Sequence, residues 1–124
     1  MDTRTKIIDA AQAARIAQAG ATVVSGYFDP MIASHAERLA TLKQGGKPLL
    51  VLVATPPDAI LSALARAQLV AGLSVVDYVC DAPEGIPPQI HLEVEHAELL
   101  TKLIDHVHAR QRAASRTRCR NSAF

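Results

Sequence analysis

Ten consecutive residues, Gly26-Tyr27-Phe28-Asp29-Pro30-Met31-Ile32-Ala33-Ser34-His35, gather a glycine, a carboxylate, a hydroxyl and an imidazole behind the apolar run Thr22-Val23-Val24. Gly26 lets the backbone turn and lets a ligand come close. Phe28 is apolar and suits the underside of that turn, while Asp29 and Pro30 shape the loop. A helix following the loop presents unpaired N–H groups, which favour an anion. His35 falls in its first turn, placed to donate a hydrogen bond to a phosphate oxygen. The same pattern also describes a plain strand-loop-helix corner with a half-exposed histidine.

Other residue sets carry weaker chemistry. His91, His96, His106 and His108 invite a metal reading, but i,i+2 residues on a helix do not face one site. No His, Cys and carboxylate set has zinc spacing, so no metal site is expected. Glu98 and Lys102, at i,i+4, read as a surface ion pair. Asp77 reads as a strand-end cap and Tyr78 as packing. There is no Ser-His-Asp order and no nucleophile elbow.

The elements that must position these residues follow from apolar periodicity. Lys6 to Ala19 is predicted as a helix, with Ile7, Ile8, Ala11, Ala14 and Ile16 roughly on one side and Gly20 as its stop. Ala21 to Gly26 is predicted as a short buried strand. A second helix is expected from Ala33 or Ser34, with Ser34 and Glu37 forming a capping box, ending at Gly45-Gly46. Pro48 to Ala54 is apolar throughout, as a strand buried on both faces should be. A helix from Pro57 to Gly72, a strand over Ser74–Ala82 and a short strand Ile90–Val94 follow. A final helix over Glu95–Ala113 carries an apolar stripe of Ala97, Leu100, Leu103, Ile104 and Val107. Strands alternating with helices predict an α/β, Rossmann-like three-layer sandwich, a small parallel sheet with helices on both faces. Such sheets bind ligands beyond the carboxyl ends of their strands, where the strand order reverses. The expected organisation is one domain over residues 1–113 and a basic tail over 114–124.

Composition narrows the function classes. Hydrophobic residues make up 49% of 124 and aromatics 3%, so the core must be built from Leu, Val, Ile and Ala. The formal net charge of +1 gives no global field toward nucleic acid or membrane. Basic charge is instead concentrated at Arg110, Arg112, Arg116, Arg118 and Arg120, without an aromatic platform for bases. Cys80 and Cys119 stand far apart with no CxxC pair, which favours a reduced, intracellular protein. The first ten residues lack a signal-peptide core, and no run approaches the ~18 apolar residues of a membrane span. A cytoplasmic protein without nucleic-acid or membrane partners is expected.

The decapeptide resembles the nucleotidyltransferase family with the HxGH signature, whose first strand runs into G-x-F-D-x-x-H-x-G-H. That family includes heptose-phosphate adenylyltransferase and glycerol-phosphate cytidylyltransferase domains. Gly26, Phe28, Asp29 and His35 match in register. A second stretch, Ala65 to Val79, places Arg66 ahead of Val76-Asp77-Tyr78-Val79 as in those enzymes. The likeness covers roughly residues 21–81. It implies transfer of a nucleotidyl group from ATP or CTP, with magnesium, to a phosphate-bearing substrate. It also implies His35 as a catalytic group, and Gly26, Tyr27, Phe28, Asp29, Ser34, His35 and Arg66 as nucleotide contacts.

The departures are chemical. The first signature histidine is Ile32, which can neither donate a hydrogen bond nor carry charge, and the signature glycine is Ser34. Losing one charge-stabilising donor costs about 10²–10³ in rate. No basic "KG-x-x-RP" stretch lies between Asp58 and Arg66, and Ile90-His91-Leu92-Glu93-Val94 stands where the family's later strand end would be. Ser115, Arg116, Thr117 and Arg120 echo the family's late S-[ST]-T-x-x-R motif, or form a solvated basic tail. The expectation is therefore an impaired or inactive transferase, a pseudoenzyme. The alternative is a non-catalytic α/β domain that binds nucleotide or a protein. A small alanine-rich domain of this kind is also a candidate homodimer.

Overall fold

The computed structural model describes residues 2–43, 45–81 and 85–121, with side chains to residue 112. Its sheet has four parallel strands in the order β3-β2-β1-β4: β1 Thr22–Gly26, β2 Leu49–Val53, β3 Tyr78–Cys80 and β4 Ile90–His91. Helices α1 Ala10–Gln18, α2 Ala33–Leu42, α3 Ala63–Ala71 and α4 Glu93–Asn121 complete the α/β, Rossmann-like arrangement.

The central strands read as apolar runs because both faces are covered. Along β2, Leu49, Val51 and Val53 join the core beside Leu39, Ala67, Val70 and Ala71 of α2 and α3. Leu50 and Leu52 join Ala13, Ala14 and Ala17 of α1 on the opposite face. Period-two alternation thus divides one strand between two cores. Alanines let α1 sit close to the sheet.

Several boundaries differ from the sequence expectation, each for a local reason. The first helix begins at Ala10, not Lys6, because Asp9 caps it. The Asp9 carboxylate accepts the Gln12 N–H at 2.8 Å, and Gln12 Oε1 accepts the Asp9 N–H at 3.3 Å. Ile7 instead bridges to Val79 at the sheet edge, and the Ile8 N–H donates to the Val79 carbonyl. A short 3₁₀ turn, Thr3–Lys6, precedes it.

Helix α3 starts at Ala63 rather than Pro57, since Ser62 Oγ accepts the Ala65 N–H at 3.1 Å. Strand β4 stops at His91, and α4 begins two residues later. The expected tail over 114–124 is helical through Asn121, in one helix of 29 residues. The side chains of the Ser115–Arg120 motif lie outside the described set.

The order places a switch point between β1 and β4. From β1 the chain moves to β2 and β3 on one side, then returns to β4 on the other. The carboxyl end of β1, at Gly26, is where such a sheet offers a crevice.

Candidate functional site

Beyond Gly26 the loop turns sharply, with Phe28 in the left-handed region at φ 51°. The turn aims two successive N–H groups at one point, the arrangement that makes an anion-binding nest. That point is taken. His96 Nδ1, from the first turns of α4, accepts the Tyr27 N–H at 2.9 Å and the Phe28 N–H at 3.2 Å. The ring lies so close to the strand that a Cβ on Gly26 would stand 2.8 Å from His96 Nδ1 and 2.8 Å from Phe28 Cε2. Gly26 therefore makes room for this chain's own imidazole. The close approach read from the sequence is real, but a side chain is what approaches.

His35 completes a buried aromatic cluster. Its ring centroid lies 4.1 Å from that of His96, and Phe28 meets both rings edge-on at 5.7 and 4.4 Å. Both histidines are buried, at 3% and 4% exposure. His35 Nδ1 accepts the Ile32 N–H at 3.3 Å, closing the start of α2. Ile32 occupies the capping position itself, and its side chain offers no acceptor.

The two bonding patterns fix the tautomers. Each Nδ1 is an acceptor, so each neutral ring carries its proton on Nε2. Neither Nε2 has a hydrogen-bond partner in the structure. Burial holds His35 below the ordinary histidine range. Burial first, and then the neighbouring His35, push His96 down to about 3. A protonated His96 would turn Nδ1 into a third donor facing two others.

Asp29 is 6% exposed and serves the next loop. Its carboxylate accepts the Ile60 N–H at 2.6 Å and the Leu61 N–H at 2.8 Å. Arg66 is 1% exposed, and its guanidinium holds carbonyls. It donates to Ala54 O at 2.5 Å, Leu61 O at 3.2 Å and Tyr27 O at 3.3 Å, and lies 3.4 Å from Thr55 Oγ1. It thus ties the ends of β1 and β2 to the start of α3. Ser34 faces solvent, because the buried pair His35 and Leu39 sets the rotation of α2. Glu37, expected to complete a capping box with Ser34, is exposed too.

A cleft of about 320 Å³ opens beside the corner, lined by Tyr27, Asp29, Pro56, Pro57, His96, Ala97, Leu100 and Thr101. Of the sequence-predicted contacts it gathers Tyr27 and Asp29. Gly26, Phe28 and His35 lie behind them in the cluster, with Arg66 beneath the loop and Ser34 outside. Among the described residues no lysine or arginine lines this cleft. Asp29 is its one carboxylate among the described residues, and both oxygens are engaged with backbone N–H groups. These residues do not fit a protein-held magnesium ion, and no group of three His, Cys, Asp or Glu able to hold a metal occurs among the described residues.

On the other side of β1, Ser25 Oγ donates to Glu93 Oε1 at 2.5 Å and lies 3.4 Å from His91 Nδ1. Asp77 behaves as the strand-end cap expected, accepting from Lys43 Nζ and, at 2.7 Å, from the Leu49 N–H. Sequence reasoning weighed His96 only as a metal ligand. The pairing of β4 with β1, Val24 beside Ile90 and Ser25 beside His91, brings His96 over Gly26 from seventy residues away. No helix among the described residues is long and apolar enough to cross a membrane.

No protein-family model matches this chain, and no curated protein matches it.

Proposed function

We propose that this chain is a nucleotidyltransferase-like domain in which transfer from ATP or CTP is impaired or lost. The corner that would receive the phosphates has instead become part of the fold's own framework. The observation that carries this reading is His96 Nδ1 on the Tyr27 and Phe28 N–H groups. A triphosphate seeking those donors must first displace a buried ring. The burial of Arg66 among carbonyls supports the same reading, since a guanidinium spent on the backbone is withheld from a phosphate. So does Ile32, at the position of the first signature histidine.

A second reading rests on the paired rings. The two Nε2–H donors of His35 and His96 are unpartnered, and His96 also lines the cleft. In that reading His96 replaces the imidazole lost at Ile32, and the pair stabilises negative charge on a phosphoryl group.

Pyrophosphate release separates the two. Wild-type protein is assayed with ATP or CTP, magnesium and a panel of phosphorylated sugars and alcohols. The first reading expects little or no turnover. Turnover abolished by either His35→Ala or His96→Ala would overturn it in favour of the second.

A further inference from the structure

Helix α4 is about 43 Å long at 1.5 Å per residue, yet of its residues up to Arg112 only His96 is buried. Leu92 and His96 are buried at its root. From Thr101 to Arg112 every residue is exposed. Within that stretch Leu103, Ile104 and Val107 are 37%, 42% and 43% exposed and share one side of the helix with Leu100. A helical segment with no tertiary partner is marginal in water, and most helical stability comes from packing an apolar face.

The charge along α4 indicates what covers that stripe. Residues 93–105 carry Glu93, Glu95, Glu98 and Asp105 against Lys102 alone. Residues 106–120 carry Arg110, Arg112, Arg116, Arg118 and Arg120 and no acid. One half is acidic, the other basic, and the apolar stripe is centred at the junction. Two copies laid parallel would set like charges side by side. Two copies laid antiparallel, with the stripes meeting at Leu103 and Ile104, would set Arg110 and Arg112 of each near Glu98 and Glu95 of the other. Such a pair is isologous, the usual form of a homodimer.

We infer that α4 is a dimerisation helix, whose stripe of Leu100, Leu103, Ile104 and Val107 packs antiparallel on the same stripe of a second copy. The inference is independent of the fate of the nucleotide site. Charge sets the orientation and apolar burial supplies the affinity. The site corners of the two copies then lie near opposite ends of the helix pair.

Sedimentation equilibrium of the full chain in reducing buffer reads the assembly. A dimer is expected in the micromolar range. Ile104→Lys places a charge at the crossing and should weaken it at least about tenfold. Orientation is read by oxidation in a Cys119→Ser background. Ala97 and Gln111 each lie seven residues from Ile104. A mixture of Ala97→Cys and Gln111→Cys chains should give a cross-linked dimer, while neither chain alone cross-links. A monomeric wild type, or a dimer indifferent to Ile104→Lys, would overturn the inference. Self-cross-linking of Gln111→Cys would overturn the antiparallel arrangement.

Discussion

At the scale of residues, one imidazole decides the character of the corner. His96 is neutral in the fold, because its Nδ1 accepts two N–H groups while burial disfavours charge. Its folded value near 3 lies below the ordinary 6.5, so the unfolded chain binds the proton more readily. The stability His96 lends is therefore complete above pH 6.5 and is lost as pH falls toward 3. Urea denaturation at pH 7 and pH 5 should show wild type losing stability, and His96→Gln, whose side-chain oxygen can still accept an N–H, losing less. Equal losses would remove His96 from the account. Gly26→Ala should destabilise by about 1–3 kcal/mol, since the added methyl meets the buried rings of His96 and Phe28, which have little room to move. A melting curve unchanged by that substitution would mean the ring does not lie where the structure puts it.

At the scale of elements, how much was legible depended on range. The apolar run of β2 and the strand-helix alternation reveal the parallel sheet, because they express burial on both faces. The start of α2 was readable to within one residue, but its capping was not. Ser34 looked like the cap, yet the packing of His35 and Leu39 turned it outward. The loop before α3 read as helix because nothing local shows that Asp29, some thirty residues earlier, claims the Ile60 and Leu61 N–H groups. Asp29→Ala should therefore speed amide exchange at Ile60 and Leu61 by at least tenfold while leaving β2 protected. Unchanged exchange there would show the loop to be held by other contacts. The likeness to the transferases put Asp29 and Arg66 at a ligand. Both instead satisfy the backbone, which residue types and spacing do not distinguish from ligand contact.

At the scale of the whole molecule, the chain joins a small parallel sheet to a helix that leaves it. The switch point between β1 and β4 is where such a sheet offers a crevice, and α4 starts there. Its first turns close the corner with His96, and its later turns carry an exposed apolar stripe at Leu103, Ile104 and Val107. His96 was not legible as a site residue, because only the β1–β4 pairing brings it to Gly26. Closure of the site and presentation of the stripe thus come from the same helix. The central claim is that the corner proposed for the phosphates is occupied from within. Its most direct test is isothermal titration of wild-type protein and His35→Ala with ATP and CTP in the presence of magnesium. The account predicts no saturable binding of either nucleotide in the micromolar range for either protein. Micromolar binding by wild type that His35→Ala weakens would contradict it and place the triphosphate at the Gly26–His35 corner.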